Sequence, residues 1–154
     1  MKQEQYRKDV IQYWWSKAKE SFSSTQRELE TDSLSFAMNR IYYAAFYSVS
    51  AALMDRKISF KKHSAVHSAF HREIIKSRLL DIQWGKFYDR LFEDRQESDY
   101  IALIEFDWNY VEDQLLKCRQ FLNVLKPIIS LKINNENCKR IQMGNGTPPS
   151  RTFQ

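Results

Sequence analysis

The most regular hydrophobic pattern in this 154-residue chain runs from Ser33 to Met54. Its apolar positions recur every three or four residues, as they do on the buried side of an α-helix. Asp32 or Ser33 is suited to cap the start of such a helix. The pattern therefore predicts a core helix around which the rest of the chain packs. Its apolar positions are Leu34, Ala37, Ile41, Ala44, Ala45, Val49, Ala52 and Leu53.

Apolar stripes with the same spacing predict helices on both sides of this core helix. The first covers residues 6–29, and the short polar break after it favours antiparallel packing against the core helix. A shorter helix is predicted over residues 63–77 and a fourth over residues 86–98. The last helix is predicted to begin after Asp107, a good N-cap residue, and to end near residues 127–130.

Turn-forming residues are scarce, because Gly85 and Pro127 are the only glycine and proline before residue 144. A β-rich fold needs far more turns than these two residues allow. Gly85 is expected in the connection before the fourth helix. The predicted fold class is therefore all-α, an antiparallel up-and-down bundle of four main helices plus a short one. Residues 1–130 are predicted to form this bundle, and the polar tail at residues 131–154 is expected to be mobile.

The charge of the chain favours an acidic partner. The net charge is +5 and the pI is near 9.2, so the protein is attracted to polyanions, among which RNA is the first candidate. Cations on a helical protein also serve simply as solvated surface, so charge alone leaves both interpretations open. The most basic cluster lies in a predicted loop and consists of Arg56, Lys57, Lys61 and Lys62.

Cysteine usage and hydropathy indicate the compartment. The two cysteines, Cys118 and Cys138, have no CxxC spacing, and the charged N-terminus has no secretory signal. No apolar run approaches the roughly 18 residues that a transmembrane helix needs. We therefore expect a reduced, cytoplasmic protein without a membrane role.

A second, more polar face of the core helix is a candidate functional surface. It carries a cation near two phenols at helical spacing, in the set Arg40, Tyr43, Ala44 and Tyr47. Arg95 continues the inward face of the fourth helix, and Asp99 and Tyr100 follow directly after its predicted end. A buried arginine needs a partner. A contact between Arg40 and Asp99 is predicted. The alternative is a local pair of Arg95 with Asp99, four residues apart on one helix.

Three histidines, His63, His67 and His71, are spaced four residues apart. This step suits metal chelation, but three donors along two helical turns are too spread for one ion, and the stretch contains no suitably placed acid. We therefore predict no metal site. His63 differs from the other two because it begins the helix beside Lys61 and Lys62, where a phosphate would meet cations and free backbone N–H groups. The alternative is a histidine that only caps or packs the helix start.

Three motifs give the chain a family resemblance. They are RIYYAAFY from Arg40, KKHSAVHSAF from Lys61 and RQESDY from Arg95. In this order they resemble the YYAAF, KxHS and RxxxDY motifs of a subgroup of small HEPN proteins (higher eukaryotes and prokaryotes nucleotide-binding). The resemblance extends as far as Ser130, and three ordered motifs are more specific than any single one.

The resemblance implies a chemistry for the chain. HEPN proteins that cut RNA need no metal or other cofactor: an arginine steadies the phosphate, and a histidine a few residues later moves the proton of the ribose 2′-OH. Arg95 matches the arginine, but Tyr100 stands where the histidine would be. A phenol with a pKa of about 10 is a weak base at neutral pH. His63 is the second candidate for the base. Arg56 and His63 also match the bare spacing, which we interpret as coincidence.

The resemblance also implies partners. These are a second copy of the chain, forming a homodimer, and a small nucleotidyltransferase acting as antitoxin. Trp14, Trp15 and Trp84 are expected to supply apolar surface for the dimer. Two functions remain open: a toxin-like ribonuclease in a toxin–antitoxin or defence pair, and a non-catalytic module that binds RNA or a nucleotide. A structural adaptor is the weakest alternative. The candidate binding residues are Arg40, Tyr43, Asp99, Arg56, Lys57, Lys61 and Lys62.

Overall fold

The computed structural model describes residues 1–100 and 105–129, and it describes side chains in the fourth helix only as far as Arg95. The tail predicted at residues 131–154 lies outside the described residues. The described part is all-α, as the hydrophobic pattern predicted. Its helices are α1 (Lys2–Glu30), α2 (Leu34–Asp55), α3 (His63–Phe70), a π-helical turn (His71–Ile75), α4 (Ile82–Tyr100), α5 (Trp108–Leu125) and a short 3₁₀ turn (Lys126–Ile128).

Helix α2 is the centre of the bundle, and it contacts α1, α3, α4 and α5. Twelve of its 22 residues are buried. All the apolar positions predicted for its buried face are buried except Leu34, which is partly exposed and packs against the core. The sequence prediction of a core helix is therefore confirmed. No helix in the described part of the chain is both long and apolar enough to span a membrane.

The connection between α1 and α2 consists only of Thr31, Asp32 and Ser33, so the two helices form an antiparallel hairpin. Asp32 has a φ of 59°, a left-handed conformation that Asp tolerates better than most residues. Ser33 is the N-cap residue, but its hydroxyl lies 3.1 Å from the Thr31 hydroxyl and caps no backbone N–H of the helix. The tight connection fixes how α1 covers one side of α2.

The core is rich in aromatic rings. Tyr42, Phe70, Tyr88 and Phe121 are among its largest fully buried side chains, and Phe121 contacts the rings of both Phe70 and Tyr88. Such ring pairs stabilise a core by about 0.5–1.5 kcal/mol each beyond the area they bury. The expectation that the tryptophans form a free surface is wrong for Trp15. Trp15 is buried, and Trp14 and Trp84 pack against the core with only part of each ring exposed.

Two predicted boundaries around α3 need correction. The helix predicted over residues 63–77 is α-helical only to Phe70 and then widens into the π-helical turn, in which the N–H of Lys76 donates to the carbonyl of His71. Gly85 is not in a connection: it is buried inside α4, which begins three residues earlier. A glycine suits this helical position because the ring of His71 lies against residue 85 and leaves no space for a side chain.

Candidate active site

His63 occupies the first position of α3 and faces the aromatic side of α2. Its ring is half-buried and stacks on Phe46, with ring centroids 4.2 Å apart and planes within 12° of parallel. Its Nδ1 lies 2.9 Å from the hydroxyl oxygen of Tyr42, within hydrogen-bond distance. These contacts fix the ring orientation and engage one of the two ring nitrogens.

Arg95 reaches the same aromatic group from α4. Its guanidinium carbon lies 4.9 Å from the ring centroid of Tyr42 and 5.6 Å from that of Tyr43, within the range of cation–π attraction. Its Nη2 also donates a hydrogen bond of 3.4 Å to the Tyr43 hydroxyl. Arg95 and His63 therefore both contact Tyr42 and Tyr43, although 32 residues separate them in the chain.

The surroundings set the charge of each group. Burial, and then the positive charge of Arg95, lower the pKa of His63, so its imidazole is neutral at neutral pH. Burial raises the pKa of Tyr42 to about 12, although the charge of Arg95 acts in the opposite direction. The site therefore combines one fixed cation with a neutral imidazole and a neutral phenol.

A cavity of about 620 Å³ opens beside His63, between α1, α2 and the loop before α3. Aromatic side chains of Trp14, Phe46 and Phe60 contribute to its wall, and Lys61 places a cation at it. Planar, apolar walls with a nearby cation suit a ligand that combines a flat ring with a phosphate. The cavity lies next to the one titratable imidazole of the site.

The residues proposed from the sequence have different positions. Arg95, His63 and Tyr43 come together, whereas Arg40 is exposed and Tyr43 is instead contacted by Arg95. The side chains of Asp99 and Tyr100 lie outside the described residues, so the Arg40 to Asp99 contact stays a prediction. In the basic loop, Lys57, Lys61 and Lys62 are exposed and Arg56 is partly exposed.

Tyr42 is the functional candidate that sequence reasoning missed. It was absent from the predicted apolar stripe and from the predicted polar face, yet it is 1% exposed and contacts both His63 and Arg95. Its place in the YYAAF motif was the available signal. A tyrosine also lies at the centre of the core at Tyr88, whose ring is parallel to that of Tyr42 at 6.3 Å.

A second polar cluster begins one helical turn after His63, where α3 faces α4. The Nε2 atoms of His67 and His71 lie 2.5 and 2.7 Å from the same carboxylate oxygen of Asp89, on α4. The three ligand atoms are within 4.8 Å of one another, a spacing that could hold a metal ion. Sequence reasoning grouped the three histidines, whereas the structure separates His63 from the other two and adds an acid from a different helix.

The chain matches known proteins over most of its length. The sequence profile of the HEPN domain matches residues 11–128. A UPF0332 protein of Thermotoga maritima is 42% identical over 120 residues, which cover 78% of this chain and 91% of that protein. In Methanocaldococcus jannaschii, a protein named "Putative toxin MJ0142" is 37% identical over 127 residues, covering 80% of this chain and 86% of the relative.

A second M. jannaschii protein, "Putative toxin MJ0605", is 26% identical over 83 residues, covering 54% of this chain and 62% of the relative. The matched profile spans the four main helices and both candidate residues, His63 and Arg95. The resemblance carried by the three motifs is thus confirmed, and this chain belongs to the HEPN domain family.

Proposed function

We propose that this chain is the toxin-like member of a toxin–antitoxin or defence pair, and that it binds RNA and cleaves it without a metal. Membership of the HEPN family and the names of two relatives support the toxin-like role. The observation that carries the proposal is the convergence of Arg95 and His63 on Tyr42. A fixed cation and a neutral imidazole are the two groups that this cleavage requires.

In the proposed reaction, His63 takes the proton from the ribose 2′-OH. The 2′ oxygen then forms a bond to phosphorus, and the bond from phosphorus to the 5′ oxygen breaks. The departing oxygen takes a proton from solvent water, and the protonated His63 later releases its proton to solvent. Arg95 stabilises the negative charge that develops on the phosphate. The tautomer that suits this role carries hydrogen on Nδ1, which donates to the Tyr42 oxygen and leaves the Nε2 lone pair free.

The cavity beside His63 is proposed to hold a base next to the cleaved phosphate. Bases stack on aromatic side chains with about 1–3 kcal/mol per base, and Trp14, Phe46 and Phe60 offer such surfaces. Lys61 at the same cavity supports a neighbouring phosphate contact. Arg56, Lys57 and Lys62 extend the basic loop from there.

Tyr100 is the competing candidate for the base, because it stands where the family motif has its histidine. An ordinary phenol has a pKa of about 10, so very little of it is ionised at neutral pH. The lowered pKa of His63 keeps its imidazole unprotonated at neutral pH, so this residue is in the proton-accepting form under the same conditions. We therefore assign the base to His63 and give Tyr100 no essential proton transfer.

The assembly is part of the proposal. We propose a homodimer acting in the cytoplasm, with a small nucleotidyltransferase as antitoxin, because the resembled family works in this way. Asp99 and Arg40 are retained as candidate RNA-binding residues near the end of α4 and on the exposed side of α2.

A second candidate function is a non-catalytic module that binds RNA or a nucleotide. One observation favours it: the Nδ1 of His63 is already engaged by Tyr42, and its ring is held against Phe46. Such a ring completes the wall of a binding cavity without taking part in chemistry. Binding without cleavage is the result that would select this candidate.

The experiment is incubation of the purified full chain with total RNA and with transfer RNA in EDTA. Arg95→Ala should abolish cleavage, because the phosphate loses its stabilising cation. Arg90→Ala is the matched control, an exposed arginine on the same helix, and should cleave like wild type. Equal background cleavage by wild type and Arg95→Ala would reject the ribonuclease and leave the binding module.

A further inference from the structure

We propose that His67, His71 and Asp89 form a binding site for a divalent transition metal such as Zn²⁺. The site lies on α3, the π-helical turn and α4, and it shares no residue with the His63 and Arg95 cluster. The proposed cleavage uses none of its residues and needs no metal. The metal-site proposal is therefore independent of the proposed ribonuclease activity, and failure of one does not affect the other.

The geometry of the three ligands is close to what the ion needs. Both Nε2 atoms lie within 2.7 Å of one Asp89 oxygen, so both imidazoles direct the same edge toward one point. With metal–ligand bonds of about 2.0–2.2 Å, the ligand atoms of a tetrahedral site lie about 3.4 Å apart. Each side chain therefore has to move by less than about 1 Å for the ion to replace the two hydrogen bonds.

The ring of His67 is fixed by neighbours that are not ligands. It stacks on Phe92 of α4, with centroids 4.5 Å apart and planes within 12° of parallel. Tyr88 lies against another side of the ring, at 5.5 Å. A ligand held in this way loses little conformational freedom when the ion binds, which favours affinity.

Gly85 accounts for the position of His71. A Cβ atom at residue 85 would lie 2.9 Å from Cε1 and 3.3 Å from Nδ1 of the His71 ring. The ring can therefore rest on the backbone of α4, one turn before Asp89, only because residue 85 has no side chain. His71 is also the first residue of the π-helical turn, an irregularity that is frequent at functional sites.

The ligand set and its exposure indicate the kind of ion. Two imidazoles and one carboxylate form the protein ligand set of many zinc sites with an open coordination position, and also bind other first-row metals. The side chains are 24%, 35% and 38% exposed for His67, His71 and Asp89, so solvent can supply the remaining ligand. Both histidines line a shallow depression of about 480 Å³ through which an ion can enter.

The test is calorimetric titration of the untagged full chain with ZnCl₂, together with the visible spectrum after addition of Co²⁺. Wild type should bind one Zn²⁺ per chain and give the absorption of tetrahedral Co²⁺. His67→Gln, His71→Gln and Asp89→Asn should each weaken binding by at least about a hundredfold, because even changes outside the ligand set cost about 10–100-fold.

Two control variants test other ligands. His63→Gln removes the remaining histidine, four residues before His67, and Cys138→Ser removes the thiol of the C-terminal tail. Both should bind Zn²⁺ like wild type. Gly85→Ala changes no ligand but pushes the His71 ring away, so it should weaken binding by about tenfold, at the lower end of effects from outside the ligand set.

Circular dichroism of each variant establishes that the bundle is folded before titration. The cobalt spectrum of wild type needs no variant and tests the site by itself. The proposal is overturned if wild type shows no saturable binding, if Asp89→Asn and His71→Gln bind as tightly as wild type, or if Cys138→Ser removes the binding.

Discussion

Tyr42 connects two residues that belong to different helices and to different parts of the chain. Its hydroxyl lies 2.9 Å from His63 Nδ1, and the Arg95 guanidinium lies over its ring at 4.9 Å. Because burial raises the pKa of Tyr42 to about 12, the phenol stays neutral and can neither repel nor neutralise its neighbours by ionising. The positive charge of Arg95 therefore acts on His63. Burial is the larger cause that lowers the pKa of His63, and the charge of Arg95 lowers it further.

The first prediction concerns the titration of His63. Its NMR titration midpoint should lie below 6.5, and Arg95→Gln should move it upward because one of the two causes is removed. Arg90→Gln should leave the midpoint unchanged, since Arg90 is an exposed residue of the same helix. His63→Gln identifies the resonance by its absence. An unchanged midpoint in Arg95→Gln would contradict the prediction, because it would mean that the charge of Arg95 does not affect the pKa of His63.

The same shift has a consequence for stability. The folded state holds His63 less protonated than the unfolded chain does, so stability is fully present above pH 6.5. This part of the stability is lost as the pH falls from 6.5 through the lower pKa that His63 has in the folded state. His63 therefore makes the protein less stable toward acid, and His63→Gln should remove that pH dependence.

The second prediction concerns the hydroxyl of Tyr42. Tyr42→Phe keeps the ring and its contact with Arg95 but removes the atom that orients His63, so RNA cleavage should fall by about 10–100-fold with KM little changed. Tyr47→Phe is the matched control on the same helix and should cleave like wild type. A variant of Tyr42 with wild-type cleavage would show that the hydroxyl does not position the base.

At the scale of elements, α2 is the framework that holds the site. It carries Tyr42, Tyr43 and Phe46 on the side toward α3 and α4, while its alanines allow α1 and α5 to approach closely. Helix α5 contributes Leu115, Phe121 and Leu125 to the core, and Phe121 contacts the Tyr88 ring that lies parallel to Tyr42. The rigidity of the site therefore depends on core packing that extends beyond the reacting groups.

The third prediction compares two adjacent leucines of α5. Leu115 is 2% exposed and Leu116 is 51% exposed. Leu115→Ala should lower the free energy of unfolding by about 2–5 kcal/mol, because it leaves a cavity in the core. Leu116→Ala should change it by less than about 0.5 kcal/mol. Urea unfolding measures both, and equal effects would mean that α5 does not pack through the face described.

Much of the fold could be predicted from the periodicity of apolar residues in the sequence. The remaining features depend on contacts between residues that are distant in the chain. The 3.6-residue pattern predicted the core helix and the antiparallel bundle, because burial of an apolar face decides both. It could not place Gly85 inside α4, since the reason is a histidine from the preceding element. For the same reason Asp89 was not grouped with His67 and His71.

The candidate site was predicted in part. Arg95 and His63 were identified by motif and by their charged neighbours, with Arg95 as the phosphate-binding cation and His63 as an alternative to Tyr100 for the base. Their common contact with Tyr42 depends on how α3 and α4 cross α2, which no local spacing encodes. The roles of Asp99 and Tyr100 stay predictions, because their side chains lie outside the described residues.

At the scale of the whole molecule, the net charge is +5, and the basic loop concentrates four cations near the candidate site. Lys61 lies at the cavity beside His63, and Lys57 and Lys62 are exposed nearby in sequence. A polyanion attracted by this loop is brought to the entrance of the proposed base-binding cavity. The charge thereby supports binding of RNA, whichever of the two proposed functions follows.

The fourth prediction is the salt dependence of RNA binding. Replacing Arg56, Lys57, Lys61 and Lys62 with Gln should reduce the slope of log affinity against log salt by about 0.7 for each lost phosphate contact. A control that replaces four cations of α1, at Lys2, Lys8, Lys17 and Arg27, removes the same charge elsewhere. An equal effect of both sets would assign the slope to net charge instead of the loop.

The most direct test of the account is the comparison of His63→Gln with Tyr100→Phe in RNA cleavage measured in EDTA across pH. Wild type should cleave, with a rate that rises through a pKa below 6.5 and is level above it. His63→Gln should lose about a hundredfold or more, the scale of a lost general base, whereas Tyr100→Phe should cleave like wild type. Full activity in His63→Gln, or equal background cleavage in wild type and both variants, would contradict the assignment of the base to His63.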